Sequence, residues 1–325
     1  MAVSTPGYAG ELRGSGAMQL VRQKEESAAR RKNQTRAVVA VLTVTAIASG
    51  CASAGGSDAV KPAHGQQPLK APPARALDSY AHQLGVSQAA RVAAAKRWRL
   101  ARTPLAAPAP PRKKPRLKTR KGFEVKGHAK LPPVFTSIPT KQKVVFLTID
   151  DGAEKDPALL RMMSDLRIPY TAFLSDYLVK EDYAYFKKMQ SHGVALNNHT
   201  LNHRYMPGLS YKSQRREICG MQDTIEKRYG KRPELFRPPY GNYNANTLRA
   251  ARSCGIKAVP LWNAEVFADR MEYREWDRDL HPGDIILTHF RGREDWKGTM
   301  PDMVRRLMRT VTAKGYAVAR LEDYL

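Results

Sequence analysis

Acidic residues are in short supply: 30 Asp and Glu stand against 55 Lys and Arg, a formal net charge of +25. The deficit is local, because residues 1–140 hold 24 basic and 6 acidic residues while residues 141–325 hold 31 and 24. A basic excess of this kind excludes an acidic, solvating chain and raises nucleic acid, lipid surfaces and anionic polymers as partners. Long apolar runs are missing too. The strongest, Ala37 to Ile47, is too short to span a bilayer. It follows Arg30, Arg31, Lys32 and Arg36 and precedes Ala48-Ser49-Gly50-Cys51, the layout of an export signal. Small residues ahead of a cysteine are similar to a bacterial lipobox, which makes Cys51 a lipidation site and residues 1–51 a lipoprotein-type signal. Plain secretion with a cut near Ala52 or Ala54 is the alternative. Either way the remainder is expected outside the cytoplasm, lipid-anchored on the outward face of the cell membrane or secreted. Cysteine is the third scarcity. With Cys51 assigned to the signal, only Cys219 and Cys254 remain; an oxidising compartment permits a bridge between them, but the sequence does not say whether they meet.

Residues 52–140 are rich in Ala, Pro, Lys and Gly and show little periodicity, so they read as a disordered basic tether. One island, Ala74 to Ala101, has helical spacing through Leu77, Tyr80, Leu84 and Val92. The run Pro111 to Lys121 carries Arg112, Lys113, Lys114, Arg116, Lys118, Arg120 and Lys121 between prolines. Export argues against nucleic acid, leaving an anionic wall polymer, a lipid surface or plain solvation for this run.

From Lys141 strand-like and helix-like segments alternate. Helices are expected near 156–167, 179–192, 211–229, 244–254 and 301–314, and four of them end at a glycine suited to a left-handed cap: Gly193, Gly230, Gly255 and Gly315. Strands are expected at 143–149, 170–175, 194–197, 234–237, 256–261, 284–288 and 316–320. Repeated β-then-α units imply a parallel sheet covered by helices, either an open sheet or a barrel, with the chemistry at strand C-termini.

The first of these strands is V-V-F-L-T-I-D-D-G, Val144 to Gly152. Two adjacent carboxylates at a buried strand end repel unless a cation, a shared proton or an arginine lies between them. An ordinary Asp-Gly turn is the plainer reading of Asp150, Asp151 and Gly152. After the third strand, N-H-T-L-N-H sets His199 and His203 four apart, a spacing that lets both imidazoles reach one metal from a helical turn. Two histidines and one carboxylate leave a coordination position for water, the arrangement of catalytic zinc. F-R-P-P-Y-G, residues 236–241, places Arg237 at a strand end before a stiff loop, where it can pair with a carboxylate. G-D-I-I-L-T-H, residues 283–289, is a buried strand ending in His289.

In that order the four segments resemble the polysaccharide deacetylases with a NodB-homology domain, carbohydrate esterase family four, over residues 141–325. The resemblance implies a distorted, incomplete (β/α) barrel and metal-dependent removal of acetyl groups, N-acetyl foremost, from peptidoglycan or chitin-like glycans. It implies Asp150 as general base, Arg237 as its orienting partner, and Asp151, His199 and His203 as zinc ligands, with cobalt or nickel as other occupants. The Tyr240 backbone N–H is implied as oxyanion donor, His289 as general acid, and Leu287 as lining for the acetyl methyl. One region departs from the pattern: Trp262 is followed by Asn263-Ala264-Glu265, then Asp269 and Arg270, where the family carries two aspartates and a second tryptophan. Glu265 is the positional match for the aspartate that tunes the catalytic histidine, and Asp269 is a shifted alternative. Trp262 keeps the first pocket position, Trp276 or Trp296 stands in for the second, and Phe290 occupies a site where an aspartate is frequent. The departure motivates the competing expectation of a glycan-binding protein that has lost turnover on the same fold.

Overall fold

In a computed structural model, which describes residues 74–126 and 131–325, strand β2 (Val144–Asp151) is the element with most neighbours. All eight of its residues are buried. Its alternating side chains enter two different cores: Val145, Leu147 and Ile149 pack with the helices outside the sheet, while Val144 and Phe146 join an inner cluster with Phe173, Phe236, Trp262 and Leu287. This is the two-residue period of a strand buried on both faces. It also assigns Thr148 and Asp150 to the inner side.

β2 runs parallel to β3 (Thr171–Leu174) and β8 (Ile285–His289), and its first residues pair with β9 (Ala317–Val318). β3 continues to β4 (Ala195–Asn198), and β8 to β6 (Ala264–Val266), which carries the antiparallel β7 (Met271–Tyr273). The register sets Asp150 opposite both His289 and Phe173, and Asp151 opposite Leu174. Beyond β4 the sheet persists as single bridges, Asn198 to Phe236 and Leu235 to Ala258. Next to these, β5 (Val259–Pro260) pairs with β1 (Val134–Phe135), and a bridge from Ser137 to Asp284 reaches the foot of β8. The fold is thus α/β, and no closed barrel forms among the described residues.

The helices follow local signals. α2 (Pro157–Leu166) has Pro157 at its first turn and is capped by Asp156, whose carboxylate accepts from Ala158 N at 2.7 Å. The expected helix 179–192 begins later, as α4 (Tyr183–Ser191), after a separate short helix α3 (Asp176–Val179), because Asp182 starts a new cap by accepting from Tyr185 N. α5 (Tyr211–Tyr229) ends at Gly230 in the left-handed region, φ 76°. α6 (Ala245–Ser253) and α7 (Met300–Ala313) each begin with a reciprocal capping box, Asn244 with Thr247 and Thr299 with Asp302. A Cys219–Cys254 disulfide ties α5 to the C-terminus of α6.

The tether expected through residue 140 is different in its described part. Residues Ala74–Arg97 form helix α1, whose Ala94 and Ala95 are buried and whose successor Trp98 donates from Nε1 to Asp165 Oδ2 at 2.8 Å. Farther on, Leu117, Phe123, Val125 and Leu131 pack against the inner cluster, Lys114 Nζ donates to the Asp323 carbonyl, and Arg120 N donates to Val134 O. Prolines forbid a periodic element here, so isolated side chains do the anchoring and no repeat announces it. The boundary expected at 141 therefore cuts through packed structure. The export segment, Cys51 and the rest of the expected tether lie outside the described residues. Among the described residues no helix is long and apolar enough to cross a membrane.

Candidate active site and metal centre

The C-terminal ends of β2, β4 and β8 and the loop after Phe236 meet at one rim. Seven described non-glycine residues have positive φ, and four of them, Asp151 (81°), Thr200 (74°), His203 (51°) and Tyr240 (61°), lie here. Such conformations cost free energy and persist where the surroundings enforce them, most often at functional sites. Gly152 is required sterically, since a Cβ there would lie 2.5 Å from Val179 Cγ1. The Asp-Gly turn and the carboxylate site are therefore the same feature.

The histidines do not sit on a helical turn as the spacing suggested. Residues 199–203 form an irregular loop held by buried Glu217, whose carboxylate accepts from Asn202 N (2.8 Å) and Asn202 Nδ2 (2.9 Å). The left-handed Thr200 and His203 bring both rings to one side, their centroids 4.9 Å apart. His199 donates from Nδ1 to the Arg237 carbonyl at 2.7 Å, which leaves Nε2 as an acceptor or ligand. That atom is 3.5 Å from Asp151 Oδ1 and 3.7 Å from Asp150 Oδ2, and His203 Nε2 is 3.3 Å from Asp151 Oδ1. Burial, helped by the His203 charge, pushes His199 down to about 3, and burial lowers His203 despite Asp151. Both rings are thus held in the neutral form that ligates metals.

Asp151 Oδ1 is buried without a hydrogen-bond partner, although Oδ2 accepts from Arg291 Nη2 at 2.7 Å. Burial favours its protonation, but nearby positive charge, His289 foremost together with Arg291, outweighs that and holds it below the usual carboxylate range. An orphaned anionic oxygen facing two imidazole nitrogens, with all three ligand atoms within 4.8 Å of one another, fits a divalent metal.

Asp150 has different surroundings. Its Oδ1 accepts from Arg237 Nη1 at 2.7 Å. Arg237 is fully buried, and it also donates to Thr148 Oγ1 (2.9 Å), Pro260 O (2.8 Å) and Leu261 O (3.3 Å) beneath the ring of Phe173. Burial raises Asp150 to about 6, against the pull of Arg237 and His289 and with a push from Asp151. Two adjacent carboxylates are therefore separated into an ionised one facing the imidazoles and one able to exchange a proton near neutral pH.

His289 Nδ1 lies 3.2 Å from Glu265 Oε1. Burial pulls the imidazole down, but the Glu265 hydrogen bond and the charges of Asp151, Glu265 and Asp150 leave it raised. Of the two carboxylates considered for this position, Glu265 occupies it and Asp269 instead pairs with Arg270 at 3.2 Å. Tyr240 stands at the mouth, 61% exposed, its ring centroid 4.7 Å from that of His203. Leu287 and Trp262 are buried beneath the rim. Trp276 is 86% exposed, Trp296 packs edge-on to Phe267, and Phe290 is a core residue against Phe186. Sequence reasoning overlooked Arg291 and Tyr177, whose ring lies 6.5 Å from that of His203, and read Arg120 only as part of a basic run. Arg291 had a signal, since extending the alternation of β8 by two residues puts it on the side of His289.

Residues 137–259 match the polysaccharide deacetylase family. The chain is 42% identical over 197 residues to an uncharacterised protein of Streptomyces coelicolor, covering 60% of this chain and 78% of that one. It is 25% identical over 198 residues to the Bacillus subtilis peptidoglycan-N-acetylmuramic acid deacetylase PdaA, covering 57% and 73%. The fold matches a solved peptidoglycan N-acetylglucosamine deacetylase at a TM-score of 0.52 and 22% identity, over 59% of this chain and 92% of that one. This chain belongs to the polysaccharide deacetylase family.

Proposed function

We propose that this protein is a metal-dependent polysaccharide N-deacetylase acting outside the cytoplasm on acetylated cell-wall glycan. The observation that carries the reading is the division of the carboxylate pair: Asp150 held by Arg237, Asp151 gathered with His199 and His203. Asp151, His199 and His203 would hold the metal, zinc being the ordinary occupant of two histidines and a carboxylate. Bound there, it would acidify water and polarise the acetyl carbonyl.

The chain's own groups supply the proton transfers. Asp150 Oδ2 takes a proton as water oxygen bonds to the carbonyl carbon, and Arg237 keeps the carboxylate oriented. The Tyr240 backbone N–H serves the developing oxyanion. His289, protonated and aligned by Glu265, gives a proton to the amide nitrogen as the C–N bond breaks, leaving acetate and a free amino sugar. Leu287 and Trp262 form the apolar floor under the acetyl group.

Export is supported by the signal-like segment ahead of Cys51 and by the Cys219–Cys254 disulfide, a bond that persists in oxidising compartments. Lipid attachment at Cys51 belongs to the same reading. So does an arm whose exposed Arg112, Lys113, Lys114, Arg116 and Lys118 meet an anionic wall polymer or lipid surface.

The test is acetate release from peptidoglycan, chitooligosaccharides and acetylxylan, with and without chelator. Release that stops on chelation and in Asp150→Asn is expected. A stable, metal-loaded protein that retains glycan but frees no acetate from any of the three would favour the binding-only reading instead.

A further inference from the structure

Away from the rim, helix α1, the arm after it and the chain around the C-termini of α2 and β9 border a cavity of about 480 Å³. Val144 and Val145, the first residues of β2, pair with β9, and Arg167 to Pro169 lead into β3, so the cavity lies at the strand N-termini, opposite the catalytic carboxylates. Three arginines line it. Arg91 comes from α1, Arg167 from the C-cap of α2 and Arg320 from just past β9. Arg91 Nη2 donates to the Pro104 carbonyl, but its Nε is buried without a hydrogen-bond partner. Arg167 donates from Nη1 to Ser87 Oγ at 2.8 Å, and Ser87 lies one helical turn before Arg91. Among the described residues neither of these two arginines forms an ion pair, and Arg320 has only Glu322, with Nε 3.6 Å from Oε2. Asp323 also lines the cavity, yet among the described residues its carboxylate pairs with none of the three. Burial lowers the affinity of Arg91 for its proton, and the like charge of Arg167 lowers it further. Arg167 moreover keeps its place at φ 52°, a left-handed cap position where glycine is usual. Partly buried like charges repel, so the arrangement carries a cost that an anion between them would remove.

We infer that Arg91, Arg167 and Arg320 form a binding site for a phosphate ester, separate from the deacetylase rim. Guanidinium forks from different elements can meet different edges of one tetrahedral phosphate, whereas the two oxygens of a carboxylate are satisfied by a single fork. Leu105, Pro169 and Met308 give the organic part of the ester an apolar wall. An anionic wall polymer and an anionic lipid headgroup both carry that group. Because residues 104–107 of the arm form one side of the cavity, a bound ester would fasten α1 and the arm to the sheet. The site is independent of the deacetylase reading, and its test reads binding rather than acetate.

The experiment is calorimetric titration of the full chain with glycerol 3-phosphate, with soluble poly(glycerol phosphate), and with phosphatidylcholine vesicles with or without phosphatidylglycerol. Saturable binding of at least one phosphate ester is expected, weakened about 10- to 100-fold in Arg91→Gln and in Arg167→Gln, the range of one charge-assisted contact. Arg112→Gln/Lys113→Gln, which alters only the exposed basic run, should bind glycerol 3-phosphate as tightly as the wild type. Tighter binding of the polymer than of the vesicles, weakened in the Arg91 variant, assigns the site to a wall polymer; the reverse order assigns it to a lipid headgroup. No binding of any probe, or an affinity unchanged in both cavity variants, would overturn the inference. Thermal unfolding separates recognition from folding. A ligand that binds only the folded chain raises Tm, so glycerol 3-phosphate should raise that of the wild type. Arg167→Gln removes a like charge from beside Arg91, so without phosphate it should melt no lower than the wild type, and it should lose most of the rise. A rise of the same size in this variant refutes the site, whatever its own Tm.

Discussion

Asp150 and Asp151 are chemically identical and adjacent in the chain, yet their neighbours give them different surroundings. Asp151 Oδ1 has no donor and faces two imidazole nitrogens, whereas Asp150 Oδ1 is bonded to a buried guanidinium. Asp151→Asn should therefore lose metal and activity together in a metal-binding titration paired with an acetate assay. Asp150→Asn should keep the metal and lose about 10²- to 10⁴-fold in rate, the span of a general base. Equal loss of metal in both variants would refute the division. Glu265 provides a second test. A general acid works only while protonated, and the raised affinity of His289 for its proton keeps it competent to higher pH, so activity falls as pH rises through that value. Glu265→Gln removes the negative partner, lowers that affinity and should move the alkaline limb of the pH–rate profile to lower pH. An unmoved limb would show that Glu265 does not tune His289. Asp150, Asp151, His199, His203, Arg237 and His289 were all legible from residue type at strand ends. The Glu265 pairing was narrowed to two candidates, because β6 is too short to show an alternation and Asp269 lies in the loop beyond it. Arg291 lies two residues past the end of β8, so the alternation that sets it beside His289 shows only when the strand is extended.

At the scale of elements, helices and strands were legible wherever a cap, a glycine or an apolar period marked them, as in α5, read at its observed limits. Short strands β1, β6 and β7 were not, since two or three residues cannot display a period. The Cys219–Cys254 bridge closes a loop spanning 35 positions between α5 and α6. Replacing both cysteines with serine should lower unfolding stability by about 2–4 kcal/mol in denaturant titrations, as expected from loop closure in the unfolded chain. A change near zero would mean that the packing of α5 on α6 suffices. Arg120 joins the N-terminal arm to residues flanking β1, β6 and β7, through Thr136 Oγ1 and Asn263 Oδ1 at 2.6 Å and Glu275 Oε1 at 2.5 Å. These groups are partly exposed, so Arg120→Ala should cost only about 1 kcal/mol by thermal unfolding. If the arm merely tethers, the variant will melt like the wild type.

For the whole molecule, the prediction is dependence on metal. Chelation should abolish acetate release, and restoring zinc should recover it. Activity that survives exhaustive chelation would remove the cradle from the mechanism. The order of β and α units, the parallel sheet and the placing of the candidate residues at strand C-termini were legible in the sequence, because hydrophobic period and turn chemistry are local and are written residue by residue. Three things were decided only by the tertiary structure: that helix α1 and the proline-rich arm after it pack against the rest of the fold, that Glu265 rather than Asp269 meets His289, and that Asp151 Oδ1 lacks a donor while Arg291 holds Oδ2. Each depends on contacts between residues distant in the chain, with no periodicity to reveal them. The surroundings of the carboxylate pair that ends V-V-F-L-T-I-D-D-G were settled in this way, by what the other strands deliver to it.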